Sequence, residues 1–536
     1  MSAAPIANNK ITNATQLPLQ TMALYPEQTA LLLLNKLDDS RKGNKAISFG
    51  QLNQHVHQLQ QALTRYGFIP GDRIVVLLRP SINLYALLIA LLSLGLVAVF
   101  IDPKMGSKRI GQTLRKSQCR AIIGGRRLLR WRWLMPTLWQ IPAVSIEELL
   151  QSVPVTQQPT HQSHITSYRD CTDSDNALIT YTSGSTGLPK GAARTHQSLI
   201  TQHQALEKLW RDQPGTTVMT QLPVMALHFL SSGVSTFFVN LNCNRLSPNQ
   251  LQLLVKKAKQ QQVTRIIGFP RLVEILTREL LTKEQPWTEI NYIAIGGSSV
   301  SVRLCRQMKL AFPNARIEVI YGATEAEPIT SVTIDEVINE STPNGYLVGK
   351  PASVAEVLIV PTMDTAKGLD EGTLLARKLP PGVIGEVLVK GPHVIKQYVD
   401  NDELTQSLKI PTADGQVWHR TGDTGYFDGR GRLWLTGRIK DIIELADMTI
   451  YPYPLECRVE MLPGVINSVL VACRGKATLA LVTSAKADRQ HMTDEVQRIC
   501  QQLEVPLPRL CWVNQLPLDS RHHSKVDRQL LRQQLS

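Results

Sequence analysis

Between Pro80 and Ile101 the chain carries no charged residue, and Leu84 to Leu94 is almost entirely apolar. A run of that length either crosses a bilayer or is enclosed by protein. Gly95 interrupts it, and Val97-Ala-Val-Phe-Ile101, β-branched and ending at Asp102-Pro103, has the character of a separate strand. A buried helix feeding a buried parallel strand therefore explains the whole run, and such strands belong to α/β architectures. The same alternation runs from Ile47 to Ile101, with the turn Pro70-Gly-Asp-Arg73 inside it, and again from Asn176 to about Gly322. From Tyr346 to Leu435 shorter β-rich segments with Gly and Pro turns predict a small barrel-like subdomain. The last hundred residues or so predict a compact α+β unit. Met1 to Leu24 reads as a loosely held arm, and Gln151 to Asn176, rich in Gln, Thr, Ser and His, as a linker. The 536 residues exceed a single core, so at least two domains are expected.

Composition narrows the class. Hydrophobic residues at 43% and charged ones at 19% exclude a disordered chain. Eight scattered cysteines without a C-x-x-C pair suggest reduced thiols in a cytoplasmic protein, and Met1 to Gln20 lacks the apolar core of a secretory signal. The net charge of +14 is concentrated: Lys104 to Arg132 holds ten basic residues and no acidic one. The tract Arg126-Arg-Leu-Leu-Arg-Trp-Arg-Trp133 mixes cations with interfacial aromatics, which suits anionic lipid headgroups at the inner membrane face or an acidic carrier protein. A solvated face with its tryptophans turned inward is the bland alternative. Nucleic acid is disfavoured, because no recognition motif accompanies the charge.

The segment Tyr181-Thr-Ser-Gly-Ser-Thr-Gly-Leu-Pro-Lys-Gly191 has the makings of a phosphate holder. Gly184, Gly187 and Gly191 let the backbone approach an anion, Thr182, Ser183, Ser185 and Thr186 add hydroxyls, and Lys190 adds a cation. Ala177 to Tyr181 reads as a strand and Gln197 to Trp210 as a helix, so a strand–loop–helix would aim the loop at a nucleotide. The Walker pattern does not fit, since Pro189 precedes the lysine and glycine follows it. The spacing instead resembles the signature loop of the adenylate-forming superfamily: acyl-CoA synthetases, peptide-synthetase adenylation domains and luciferases.

Further strings resemble that superfamily in order, from about residue 25 to 530. Tyr321-Gly-Ala-Thr-Glu-Ala326 is similar to its nucleotide-and-metal motif. The resemblance assigns Tyr321, with Gly322, to the adenine, Thr324 to a phosphate oxygen and Glu325 to Mg²⁺. Ile295-Gly-Gly-Ser-Ser299 resembles the turn along the adenine, bringing in Gly297 and Ser298. Asp423 in His419-Arg-Thr-Gly-Asp423 is implied as the ribose ligand, with Arg438 reaching ribose or phosphate. Lys440 falls at the family's hinge, which would divide an adenylation domain, 1–439, from a small mobile lid, 441–536. Lys525 in Ser524-Lys-Val-Asp-Arg528 resembles the catalytic lysine of the tail motif. Pro223-Val-Met-Ala-Leu-His228 and Gly268-Phe269 are placed by position at an apolar acyl pocket, and His228 joins the catalytic set. The implied chemistry is attack of a carboxylate on ATP, giving an acyl-adenylate and pyrophosphate. A silent nucleotide-binding scaffold would have lost one of Lys190, Glu325, Asp423 or Lys525, and all four are present.

Two departures bear on the second step. After the hinge, CoA ligases usually carry a glycine pair, whereas this chain reads Asp441-Ile-Ile-Glu-Leu-Ala-Asp-Met-Thr-Ile-Tyr-Pro452, with no glycine. Side chains there would crowd pantetheine, leaving CoA uncertain as acceptor. The tail Arg521-His-His-Ser-Lys525 and the altered strand with Ala446-Asp447 are similar to the olefin β-lactone synthetases. In that branch a 3-hydroxy acid is activated and its own hydroxyl closes the ring. His522 or His523 is a candidate base, a solvated surface position being the alternative.

Overall fold

The computed structural model describes residues 10–37, 44–102, 105–130, 138–153, 167–183, 189–242, 246–340, 342–445, 448–485, 487–518 and 525–536. They fall into two compact units, Met1–Leu241 with Pro392–Ser407, and Asn242–Gly391 with Leu408–Ser536.

In the first unit, five parallel strands lie in the order Asn176–Ser183, Val97–Ile101, Arg73–Leu77, Ala121–Gly124, Ala143–Ser145. Pro189–Thr195 and then Tyr398–Val399 extend this sheet antiparallel. The charge-free run resolves as expected, into the helix Ile82–Ser93, most of it buried, and the strand Val97–Ile101. No helix among the described residues is long and apolar enough to cross a membrane. Thr217–Thr220, Ser235–Val239 and Thr29–Leu34 run parallel in a second sheet, with Asn44–Ser48 antiparallel at its edge. Helix Phe49–Arg65 opens on a reciprocal Ser48–Gln51 cap and lays Leu52, Val56, Leu59 and Leu63 into the main core.

The N-terminal arm is a correction. From residue 10 onward it is anchored: Leu19 and Met22 on the helix Gln16–Leu24 are fully buried, and the Asn13 amide donates to the carbonyls of Leu92 (3.1 Å) and Arg169 (2.9 Å). A polar average conceals two apolar side chains three apart on one helix face.

In the second unit, Val263–Gly268, Tyr292–Gly296 and Arg316–Ala323 are parallel. The β-rich segment continues from them antiparallel, through Ala326–Thr333, Tyr346–Pro351, Leu433–Arg438, Val417–Phe427, Gly385–Lys390 and Glu356–Val360. The last hundred residues have a core of their own, built from Leu455, Val459, Leu470, Leu479, Leu481 and Val496 on helices Pro452–Val459 and Arg489–Gln502 and strands Val465–Cys473 and Lys476–Thr483.

Candidate active site

Three parallel strands of the second unit end at one sheet edge, where open α/β sheets bind ligands. Their ends carry Gly268-Phe269, Gly296-Gly297-Ser298 and Tyr321 to Glu325. A Cβ at 296 would meet the Ile320 carbonyl at 2.5 Å, and one at 297, where φ is +89°, would meet the Phe269 ring at 3.1 Å. Glycine is therefore required at both positions by the close approach of the neighbouring strand and ring. Thr324 and Glu325 form the two-residue turn between Ala323 and Ala326, which pair across strands Arg316–Ala323 and Ala326–Thr333.

Three of the sequence-predicted residues converge. The Tyr321 hydroxyl donates to Asp423 Oδ2 at 2.7 Å, and Arg438 Nε lies 3.1 Å from Asp423 Oδ1. Strand register explains the second contact, since Asp423 and Arg438 are directly opposed on Val417–Phe427 and Leu433–Arg438. Asp423 is 6% exposed, and a carboxylate with one side-chain partner on each oxygen keeps further lone pairs for other donors. Burial, reinforced by Asp423, raises the Tyr321 phenol far above its ordinary range, so it stays a donor. The Asp423 charge likewise raises Arg438.

Lys409 is the residue that sequence reasoning missed. It is 3% exposed at the start of strand Lys409–Pro411, and burial pushes its ammonium down to about 7 while the Glu325 carboxylate opposes that shift. A lone lysine in Ser407-Leu-Lys-Ile-Pro411 carries no motif; only strand pairing with His419 turns it inward. Glu325 offers a hard carboxylate oxygen, the ligand type that Mg²⁺ takes.

In the first unit the phosphate segment departs from expectation. Pro189–Thr195 folds back antiparallel on Asn176–Ser183, with Thr182 opposite Lys190, so the segment is a hairpin and helix His196–Trp210 begins only beyond its second strand. Gly191 is required because a Cβ there would lie 2.6 Å from the Tyr181 ring. Gly184, Ser185, Thr186 and Gly187 lie outside the described residues, as do the side chains of Thr182 and Ser183.

His228, expected in the catalytic set, is 5% exposed on the helix Ala226–Ser231. Its Nε2 is 2.8 Å from Asp212 Oδ2 and its Nδ1 2.8 Å from His203 Nδ1, with Trp210 edge-on. Burial pushes His203 down to about 3, keeping it neutral, so one Nδ1 donates and the other accepts. Both nitrogens of His228 are thus engaged within the protein.

Lys440 is exposed in the turn Ile439–Asp441, whereas Asp441 is buried against Arg532 (2.9 Å) and Arg528 (3.6 Å). Arg528 also grips Glu456 through both terminal nitrogens, at 2.7 and 2.8 Å. These pairs fasten helix Arg528–Leu535, and with it the exposed Lys525 just upstream, to the residue after Lys440. His522, His523, Ala446 and Asp447 lie outside the described residues.

A family model described as "AMP-binding enzyme" matches residues 20–399. The chain is 29% identical over 441 residues to an olefin beta-lactone synthetase of Xanthomonas campestris pv. campestris, spanning 79% of this chain and 78% of the relative. It is 27% identical over 508 residues to an olefin beta-lactone synthetase of Stenotrophomonas maltophilia, spanning 90% of each. The fold matches an amide bond synthetase of Marinactinospora thermotolerans with a TM-score of 0.78 at 20% identity, over 97% of this chain and 99% of that one.

Proposed function

The chain belongs to the AMP-binding enzyme family and is an adenylate-forming ligase; from that premise we propose that it activates a long-chain 3-hydroxy acid and closes it to a β-lactone. A carboxylate oxygen attacks the α-phosphorus of ATP, the bond to pyrophosphate breaks, and an acyl-adenylate forms. Asp423 accepts from the ribose hydroxyls, with Tyr321 and Arg438 fixing its orientation. Gly297, Ser298 and Gly322 border the adenine, and Thr324 a phosphate oxygen. Lys190 and Lys525 supply positive charge where it develops on the phosphate. Glu325 would hold Mg²⁺, which neutralises phosphate charge when bound. In the second step the substrate's own 3-hydroxyl oxygen attacks the acyl carbon, its proton leaves, and AMP departs.

The observation that carries the second step is the hairpin after the hinge. Strands Ile443–Leu445 and Met448–Ile450 bury Ile443 and Ile450 in the lid core and leave Glu444 and Met448 on the outside. Side chains thus stand where CoA ligases keep glycine, while an internal hydroxyl gains effective concentration from its attachment. Lys440 as the pivot of a mobile 441–536 lid is part of the same proposal. Pyrophosphate release from ATP with a panel of fatty and 3-hydroxy fatty acids tests it. The 3-hydroxy acids should turn over fastest without CoA; turnover of plain fatty acids alone would contradict the substrate assignment.

A further inference from the structure

The segment 103–146 holds ten basic and no acidic residues, leaving 48 basic against 44 acidic elsewhere, so most of the +14 charge comes from this one segment. Its elements share a layer of the first unit. Ile110 and Leu114 of helix Ser107–Lys116, Leu129 of helix Arg126–Arg130, and Leu138 all pack into one cluster with Val75, Val99 and Ile122 of the parallel strands. That packing turns Arg109, Arg115, Lys116, Arg126, Arg127 and Arg130 outward, and all six are exposed. Glu147 accepts from the Arg126 amide at 3.1 Å and Glu148 interacts electrostatically with Arg126; the other five have no ion pair with a carboxylate among the described residues. Two large apolar side chains are exposed in the same layer, Leu128 at 43% and Trp139 at 58%.

From this arrangement we propose that the outer face of the layer docks on an anionic bilayer surface. Five of the six cations face solvent without an ion-paired carboxylate among the described residues, so their attraction is available to a partner. Leu128, between Arg127 and Arg130, matches a headgroup boundary, where an apolar side chain enters hydrocarbon and a guanidinium stays with phosphate. A fluid anionic surface adapts to cations spread over two helices, whereas an acidic protein needs fixed carboxylates in register. The inward faces of both helices are occupied by the core, so the contact is peripheral. A surface-bound enzyme would meet long-chain acids where they partition, but the docking stands apart from the reaction chemistry.

Sedimentation of the full chain with phosphatidylcholine vesicles, with and without one-third phosphatidylglycerol, tests the proposal. At low salt the anionic vesicles should bind at least tenfold more protein, and 0.5 M NaCl should release it. The variant Arg126→Glu/Arg127→Glu/Arg130→Glu should lose at least tenfold in vesicle binding, with its circular-dichroism melt and its pyrophosphate release on a soluble acid unchanged. Arg126→Lys/Arg127→Lys/Arg130→Lys should retain binding, because charge and not guanidinium geometry is used. Equal binding to neutral and anionic vesicles, no binding to either, or salt-sensitive binding to an acidic acyl carrier protein with none to vesicles would overturn it.

Discussion

The second unit contains two ionic clusters of similar make-up. In one, Asp423 meets Tyr321 and Arg438; in the other, Glu456 and Asp441 meet Arg528 and Arg532. The second is the more densely bonded about its glutamate. Both Glu456 oxygens accept from Arg528, Oε1 also accepts the Leu470 amide at 2.6 Å, and Arg528 donates to the Leu470 carbonyl at 2.7 Å and lies over the Tyr453 ring. The first is open: Asp423 has one protein side chain on each oxygen, and Arg438 is half-exposed. A carboxylate gripped by three donors of its own fold, as Glu456 is, braces that fold, whereas one with acceptor capacity beside an accessible cation can hold a ligand.

The contrast is broken most sharply by removing each carboxylate. Glu456→Ala should cost about 3–5 kcal/mol of stability in urea unfolding, because it strands a buried guanidinium. The folded fraction should keep its KM for ATP within about twofold. Asp423→Ala should do the reverse, losing about 2–3 kcal/mol in kcat/KM for ATP, roughly 30- to 150-fold, with little change in urea midpoint. Should Asp423→Ala unfold the protein without touching KM, the two clusters would be alike after all.

Glu460 sits near Glu456, with Arg303 as a weaker opposing charge. Burial, with Glu456 nearby, raises its carboxyl from 4.5 to about 8, and Tyr346 donates to it at 3.1 Å. A folded pKa above the unfolded one means that its stabilising contribution is complete below pH 4.5. That contribution declines as the pH rises and levels off beyond about 8. The melting temperature should accordingly fall between pH 5 and 8, and Glu460→Gln should flatten that slope; an unchanged slope would remove Glu460 as its cause. The smallest effect is expected for Tyr321→Phe, which deletes one hydrogen bond to Asp423. It should raise KM for ATP several-fold, about 1 kcal/mol, leaving the urea midpoint unchanged.

The open cluster was legible in the sequence because each member lies in a short ordered string, and strand register then brings Asp423 opposite Arg438. The buried helix and strand of residues 80–101 were legible for a similar reason, their composition allowing no solvated face. Lys409 was not, because its burial depends on pairing with a strand ten residues away along the chain. The phosphate segment was identified by composition, but its hairpin was not, since Gly191-Ala-Ala-Arg-Thr195 lacks the apolar alternation that marks a strand. The partners of His228 were not legible either, because Asp212 and His203 meet its two nitrogens from 16 and 25 residues away along the chain. The division of chain was also only partly visible, as 392–407 returns to the first unit through a two-residue strand, Tyr398–Val399, too short to leave a pattern.

The central claim is that the second step uses the substrate's own hydroxyl. Its most direct test is the product mass from ATP, Mg²⁺ and a long-chain 3-hydroxy acid, compared with and without CoA. The account predicts AMP and a product one water lighter than the acid, formed at the same rate in both reactions. An acyl-CoA product that appears only when CoA is added, with no water-loss species, would contradict it.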